Sequence, residues 1–335
     1  MNILLLIPVI ASFFITFFMI PRWIKKAKQI GLLWEDMNKY KKEKVAGSGG
    51  IIVILGFIFS VFVYISIKTF YFNSSENVVE ILAIASSMLL LLITGLVDDL
   101  LGWWHGGLSK RTRIFLCLFA SIPLVVINVG SSYINLPFFD GTSLGLIYPL
   151  LIIPIGIIGA STTFNFLAGY NGLEASQGML IIGALSLVAY FTGSSWLALI
   201  GVCLVFSLAA FLIFNKYPAA VFPGDTLTYP IGGMIAIMAI LGNMEKIAIF
   251  FFIPYIMEVI LKARGMLKKQ SFGKPNKDNS LELTYNKIYG LEHLAIFLIK
   301  KFKKKVYEND VVLAINIFQI VIIILGFLIF KNSIF

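Results

Sequence analysis

Apolar residues recur in long runs along this chain, and ten such runs are each long enough to cross a bilayer as a helix. A hydrocarbon core of about 30 Å requires about 20 helical residues. The runs Met88–Thr94 and Ile320–Phe330 are apolar on every helical face, whereas a membrane β-barrel requires alternating residues. We therefore expect an all-α, polytopic membrane protein. The ten predicted transmembrane segments are 2–20, 46–67, 78–97, 114–129, 145–164, 177–193, 195–214, 227–242, 246–262 and 311–330.

Composition supports a lipid environment. Of 335 residues, 59% are hydrophobic and 13% are charged, whereas a soluble domain carries about 25% charged residues. We expect a single domain over residues 1–335 with a long cytoplasmic loop at about 264–308. The first segment lacks a basic leader and a small-residue cleavage site, which predicts a retained span. Cys117 and Cys203 both fall in predicted spans, which argues against a disulfide framework.

Basic residues are distributed very unevenly between the two sides of the membrane. If the ten segments alternate in direction, 24 of the 27 Lys and Arg lie in five loops on one side. The positive-inside rule places those loops in the cytoplasm and both termini outside. The net charge of +10 therefore requires no nucleic-acid partner. Part of this charge is a topology signal, and part is suited to anionic headgroups and substrates.

Two adjacent acids, Asp98 and Asp99, end the third predicted segment. Neighbouring carboxylates repel each other unless a cation or several donors compensate, and interfacial acids in membrane proteins are functional candidates. Lys110, Arg111 and Arg113 follow within a few residues, and such cations suit pyrophosphate oxygens. The structural alternatives are that the two acids only end a helix and that the three basic residues only anchor the next segment at the membrane interface.

Two further polar motifs lie at the same side. Residues 162–177 (TTFNFLAGYNGLEASQ) contain Asn165, Asn171 and Glu174 but no basic residue. The stretch Val221–Tyr229 (VFPGDTLTY) places Asp225 in a Pro-Gly turn before the eighth segment, where an acid also suits helix capping. Carboxylate and amide oxygens suit Mg²⁺, which binds through one or two carboxylates plus substrate phosphates.

Other chemistries lack their signatures. The chain contains no Walker A sequence, HExxH or Cys/His cluster. Its only histidines are His105 and His293, which argues against zinc. A membrane transporter of an anionic substrate would use acids at midplane, where only Glu258 falls, and Glu258 has Lys262 one turn away as a partner. A non-catalytic scaffold would not require the acidic and amide cluster.

With these motifs the chain resembles the polyprenyl-phosphate N-acetylhexosamine-1-phosphate transferase family, which is glycosyltransferase family 4. It is most similar to the archaeal and eukaryotic dolichyl-phosphate GlcNAc-1-phosphotransferases. The resemblance covers nearly the whole chain, and its ten helices and cytoplasmic site agree with the topology expected from charge. The motifs that carry it are Glu35–Lys39 (EDMNK), Gly95–Leu100 (GLVDDL), Asn165–Gln177 (NFLAGYNGLEASQ) and Val221–Tyr229.

The resemblance implies a reaction and its partners. A polyprenyl or dolichyl phosphate would attack a UDP-N-acetylhexosamine, with UDP-GlcNAc as first choice, and release UMP with Mg²⁺, or Mn²⁺ as a substitute. The expected setting is the cell membrane, in the first membrane step of lipid-linked glycan assembly such as N-glycosylation. The sequence leaves the oligomeric state open, with a homodimer among the alternatives.

The resemblance also implies roles for particular residues. Asn165 and Asp225 would hold the metal, and Asp98 and Asp99 would engage the lipid phosphate or the metal. The uridine would lie near Asn171 and Phe222, with Glu174 supporting that loop. Asn38 and Lys39 are the remaining expected substrate ligands. Lys110, Arg111 or Arg113 would be the basic residue that binds phosphate.

One loop departs from the family. Its bacterial members carry histidines in the last cytoplasmic loop and its animal member carries Arg-His-Arg, whereas this chain has Gln270–Asn276 (QSFGKPN). Family members contact the sugar here, so we expect this loop to set donor choice. Lys274 is expected to reach the donor phosphates or sugar hydroxyls, with a plain solvated lysine as the alternative. The alternation within Leu281–Ile288 predicts a short strand or hairpin over the site.

Overall fold

The architecture comes from a computed structural model that describes residues 2–130, 133–136 and 139–335. The chain is mostly helical. Thirteen α-helices are present in the described residues: α1 (Leu6–Ile30), α2 (Gly50–Phe70), α3 (Val78–His105), α4 (Lys110–Val126), α5 (Ile153–Phe164), α6 (Leu173–Phe191), α7 (Ser195–Asn215), α8 (Asp225–Leu241), α9 (Glu245–Phe251), α10 (Ile253–Arg264), α11 (Leu291–Ile299), α12 (Glu308–Ile329) and α13 (Lys331–Ile334).

Each of the ten predicted apolar segments is helical, with changed boundaries. Helix α3 continues eight residues beyond the predicted end at 97. The segment at 145–164 begins with a π-helix, Tyr148–Ile152, before α5. The segment at 246–262 is divided at Phe252 into α9 and α10, since Pro254 lacks a backbone N–H and suits a new helix start.

Six helical segments in the described part of the chain are long and apolar enough to cross a membrane. This makes the chain a multi-pass membrane protein. The six segments are Ile3–Ile30, Gly50–Phe70, Val78–Gly102, Leu173–Phe191, Ser195–Asn215 and Glu308–Ile329.

The all-α prediction is incomplete because the loops form three antiparallel two-stranded sheets. Two of them were not predicted, since their strands are too short for a clear alternation of apolar and polar residues. Of the stretch 281–288 that was predicted as a short strand or hairpin, only residues 281–282 form a strand, and their partner strand at 274–275 precedes that stretch. The pairs are β1 (Leu33–Glu35) with β2 (Lys44–Ala46), β3 (Tyr133–Leu136) with β4 (Phe139–Ser143), and β5 (Lys274–Pro275) with β6 (Leu281–Glu282).

Helix α8 lies at the centre of the bundle and packs closely on α3 and α5. The closest approach is at Gly95, where an added Cβ would lie 2.2 Å from the carbonyl oxygen of Asp225. Only glycine permits this distance between the two backbones. The approach brings the polar end of α3 against the first turn of α8.

Candidate active site

Residues from all the polar motifs line one cavity of about 780 Å³ at the ends of α3, α5 and α8. Eight predicted site residues line it: Asp98, Asp99, Arg113, Asn165, Asn171, Glu174, Phe222 and Asp225. Five do not line it: Asn38, Lys39, Lys110, Arg111 and Lys274. The cavity wall also includes Trp34, which no motif contained, and Asp36, Gln270 and Phe272, which lie in quoted motifs but were given no individual role.

Asp98 is held from three directions. Arg113 contacts both of its oxygens, with Nη2 3.0 Å from Oδ1 and Nε 2.6 Å from Oδ2. The backbone N–H of Leu108 donates to Oδ1 at 2.8 Å, and the Tyr229 hydroxyl donates to Oδ2 at 3.0 Å. Lys110 and Arg111 are exposed, so the structure distinguishes Arg113 among the three candidate bases.

Asp99 caps helix α8 from a neighbouring helix. Its Oδ1 accepts the backbone N–H of Asp225 at 2.8 Å, and its Oδ2 accepts the Ser48 hydroxyl at 2.8 Å. The N–H of Thr226 also points to Oδ2, at 3.4 Å. Gly224 precedes the helix with φ +69°, and an added Cβ there would lie 2.2 Å from Oδ2. Asp99 therefore fixes the turn that carries Asp225.

Asp225 and Asn165 present oxygen atoms to the same cavity. The carboxyl of Asp225 lies close enough to that of Asp98 to interact with it, and Asn165 lines the same cavity. Among the described residues, no group of three His, Cys, Asp or Glu is arranged to hold a metal. One carboxylate, one amide and substrate phosphates form a donor set that suits Mg²⁺.

A carboxylate that the sequence analysis missed is buried against Asn171 and does not line the cavity itself. Glu308, the first residue of α12, accepts the backbone N–H of Asn171 at 2.6 Å through Oε1. The Asn171 side-chain Nδ2 lies 3.3 Å from Glu308 Oε2 and 3.1 Å from Asp36 Oδ2. Asn38 Nδ2 donates to the carbonyl of Gly169 at 2.9 Å. Asn38 thus supports the Asn171 loop from behind.

Lys39 is buried and paired with carboxylates, away from the cavity wall. Its Nζ lies 3.4 Å from Asp36 Oδ2 and 3.3 Å from Glu43 Oε2. Burial lowers the pKa of Lys39, but the two facing carboxylates raise it, with a net rise above its ordinary value. Its position indicates charge compensation for Asp36.

The long loop after α10 covers one edge of the cavity through Gln270 and Phe272. It is attached through Tyr170, whose hydroxyl accepts the N–H of Gly273 at 3.1 Å. Lys274 is exposed in β5. The stretch 281–288, predicted to lie over the site, does not line the cavity, and neither does Lys274; the loop reaches the cavity through Gln270 and Phe272 instead.

Beneath this loop two glutamates are buried together. Glu258 accepts the N–H of Leu291 at 2.6 Å and pairs with Lys262 at 3.4 Å, as the sequence spacing predicted. Glu292 of α11 is fully buried. Burial raises the pKa of Glu292 well above its ordinary value, the Glu258 carboxylate raises it further, and Lys262 opposes both.

A second cavity, of about 370 Å³, runs along α5 and α8 away from the polar one. Its wall is mostly apolar and includes Ile155, Gly159 and Ile235, with Glu245 also lining it. Thr163 also lines it, two residues before Asn165 on the same chain segment. The two cavities therefore share helices, one at their polar ends and the other along their apolar length.

Comparisons with known proteins agree with this arrangement. Residues 81–243 match the model of glycosyl transferase family 4. Together with the relatives described next, this match shows that the chain belongs to the polyprenyl-phosphate N-acetylhexosamine-1-phosphate transferase family.

Three relatives carry the same kind of name. A putative UDP-N-acetylglucosamine–dolichyl-phosphate N-acetylglucosaminephosphotransferase of Saccharolobus solfataricus is 37% identical, with 92% of each chain covered. A protein of the same putative name from Sulfolobus acidocaldarius is 34% identical over 90% of this chain and 89% of the relative. The enzyme so named in Dictyostelium discoideum is 26% identical over 73% and 68%. The transporter alternative has no support.

Proposed function

We propose that this enzyme transfers N-acetylglucosamine-1-phosphate from UDP-GlcNAc to dolichyl phosphate or a related polyprenyl phosphate. The products are UMP and a lipid-pyrophosphate-sugar. The observation that carries the proposal is the single cavity lined by Asp98, Arg113, Asn165, Asn171 and Asp225. The names of the relatives support the donor and the acceptor.

The donor nucleotide fits between the two polar ends of this cavity. Asn171 and Phe222 provide an amide and an aromatic face for the base, and Asn165 and Asp225 provide oxygen ligands for a cation on the pyrophosphate. A bound Mg²⁺ would neutralise charge that develops on the phosphate oxygens. The ligand types carry the magnesium assignment, because hard oxygen donors suit this ion.

The acceptor suits the second cavity. A polyprenyl chain is apolar, and the groove along α5 and α8 offers it an apolar wall that leads towards Asn165. Arg113 would hold the acceptor phosphate, because a guanidinium binds phosphate oxygens in a bidentate manner. Its position is fixed by the two contacts to Asp98.

The chemical step requires no proton removal. An oxygen of the acceptor phosphate, already an anion at neutral pH, forms a bond to the β-phosphorus of the donor. The bond from that phosphorus to the bridging oxygen breaks, and UMP leaves with the electron pair. Asp98 is engaged with Arg113, Leu108 and Tyr229, so positioning of Arg113 is its role in this scheme.

The full topology is part of the proposal. Ten spans with both termini outside would place the loops that form the cavity in the cytoplasm, where nucleotide sugars are available. The distribution of 24 of 27 basic residues supports this orientation. The chain would then act as one domain at the cell membrane.

The test is release of UMP by the purified protein in the presence of UDP-GlcNAc, Mg²⁺ and a polyprenyl phosphate. We expect Asp225→Asn to lower kcat by orders of magnitude and Lys110→Ala, at an exposed site outside the cavity, to retain wild-type rates. Both variants should elute as monodisperse species from gel filtration in detergent. Wild-type protein that releases no UMP with any UDP-N-acetylhexosamine would contradict the proposal.

A further inference from the structure

The side-chain amide of Asn171 is fixed in one orientation by two carboxylates. Its NH₂ group faces Asp36 Oδ2 at 3.1 Å and Glu308 Oε2 at 3.3 Å. An ionised carboxylate only accepts hydrogen bonds, so in that form each can pair with one of the two amide hydrogens and neither can pair with the amide oxygen. This removes the ambiguity between the two ends of an asparagine amide.

The backbone at this position is held by the same group. Glu308 Oε1 accepts the Asn171 N–H at 2.6 Å and also faces Asn38 Nδ2 at 3.4 Å. Lys39 lies 3.4 Å from Asp36 and compensates part of the clustered negative charge. Asn171, Asp36 and Glu308 are each at most 4% exposed, so bulk water does not compete effectively for these bonds.

The fixed orientation leaves the amide oxygen, Oδ1, as the group that Asn171 offers to the cavity it lines. An acceptor held in this way selects a base that presents an N–H donor. Uracil presents N3–H between two carbonyl oxygens, whereas cytosine presents an unprotonated N3. With cytosine, the Asn171 oxygen would face the unprotonated N3, so two hydrogen-bond acceptors would meet in a buried site. Such a contact strongly disfavours binding of cytosine.

We infer that Asp36 and Glu308 determine base specificity, by holding Asn171 as an acceptor for the N3–H of uracil. The inference rests on the proposed function, which places the uridine at Asn171. Asp36 and Glu308 do not touch the base in this arrangement. They are positioning residues that act through Asn171.

The first experiment needs no variant. Wild-type protein in nanodiscs with Mg²⁺ is titrated with UMP, CMP and N3-methyluridine 5′-monophosphate, and the dissociation constants are compared. We expect CMP and the N3-methyl nucleotide each to bind at least roughly tenfold more weakly than UMP, because each lacks the donor. Equal binding of UMP and its N3-methyl form would overturn the inference.

The second experiment reverses the hydrogen-bonding groups that Asp36 and Glu308 offer to the Asn171 amide. In the double variant Asp36→Asn with Glu308→Gln, each new amide can donate to Asn171 Oδ1, so the Asn171 amide can turn its NH₂ group to the cavity. We expect UMP to bind more weakly, CMP to bind more tightly, and the preference for UMP to fall roughly tenfold or more. Asp310→Asn is the matched control, because Asp310 lies two residues from Glu308 and bonds to Lys303 and Tyr307 instead.

The outcomes separate the alternatives. If both nucleotides weaken by the same factor in the double variant, the two acids serve structure only and the inference fails. A double variant that does not fold leaves the decision to the wild-type titrations. Wild-type protein that binds UMP selectively but never releases UMP from UDP-GlcNAc would contradict the proposed function. It would not contradict the inference that Asp36 and Glu308 orient Asn171 for uracil. Absence of UMP binding would overturn both.

Discussion

The carboxylate of Asp99 accepts the backbone N–H of Asp225 at 2.8 Å, so an acid at the end of α3 caps the helix that begins with a second acid. Ser48 donates to the other Asp99 oxygen at 2.8 Å. This bond gives Asp99 a role in holding the proposed metal ligand in place. The two neighbouring acids of the GLVDDL motif thus have different tasks, since Asp98 binds Arg113.

Asp99→Asn should lower both stability and activity. An asparagine would place its NH₂ group where one carboxylate oxygen now accepts a hydrogen bond, so that bond would be lost. Loss of such a bond in a buried site costs about 1–3 kcal/mol. We expect a lower melting temperature in detergent and a reduced kcat. Ser48→Ala removes one donor and preserves the backbone bonds, so its effect should be smaller. An Asp99→Asn variant with wild-type melting temperature and rate would contradict this role.

Replacement of Arg113 should separate it from its basic neighbours. Arg113→Lys keeps the charge but cannot reproduce the two-nitrogen contact with Asp98, so we expect at least a tenfold loss of kcat/KM for the polyprenyl phosphate. Arg111→Ala is the control, because Arg111 is exposed and outside the cavity. Steady-state kinetics with varied acceptor concentration measure both. Equal losses in the two variants would assign the phosphate contact to the basic stretch as a whole.

Removal of divalent cations should abolish turnover. The proposed ligands at Asn165 and Asp225 are hard oxygen donors, which suit Mg²⁺ and Mn²⁺. We expect excess EDTA to stop UMP release and added Mg²⁺ to restore it. Full activity in excess EDTA would remove the metal from the scheme.

Glu292→Gln should change the pH dependence of stability. Burial and Glu258 raise the folded-state pKa of Glu292, with Lys262 opposing and the buried hydroxyls of Tyr170 and Tyr255 also nearby. In the unfolded chain a Glu ionises at about pH 4.3. The folded state therefore binds the Glu292 proton more tightly than the unfolded state does. The stability that the neutral carboxyl contributes is present at low pH, and it is lost as pH rises above about 4.3 towards the folded-state pKa.

Glutamine cannot ionise, so the melting temperature of Glu292→Gln relative to wild type should increase between about pH 5 and pH 8. Thermal unfolding in detergent at several pH values measures the difference. Glu282→Gln is the control, since Glu282 is in the same loop and exposed. A constant difference at all pH values would mean that Glu292 has the same proton affinity in both states.

The loop Gln270–Asn276 should affect donor binding through those of its residues that reach the cavity. Gln270 and Phe272 line it and Lys274 does not. We expect Gln270→Ala to raise KM for the UDP-sugar or alter donor preference, and Lys274→Ala to leave both close to wild type. A large effect of Lys274→Ala would mean that the loop moves when donor binds, and would restore the expectation drawn from the sequence.

The sequence predicted the helices because a bilayer requires long apolar segments, and it predicted much of the cavity because acids and amides at span ends lack an apolar explanation. It did not identify Glu308 or Tyr229. An acid at a helix start is typical of capping, and a tyrosine within an apolar segment is typical of packing. Lys39 was predicted to bind substrate, but it pairs with Asp36 and Glu43, which lie only three and four residues away along the chain. The sequence analysis did not use this local spacing of opposite charges.

The position of Glu308 in the chain has a consequence for biosynthesis. Helix α12 follows every other segment that lines or supports the cavity, so it leaves the ribosome after all of them. Until it is inserted, Asn171 lacks two of its three carboxylate contacts. A nascent chain that has not yet inserted α12 therefore lacks the Glu308 contacts to Asn171, and the proposed nucleotide site is complete only once α12 is in place.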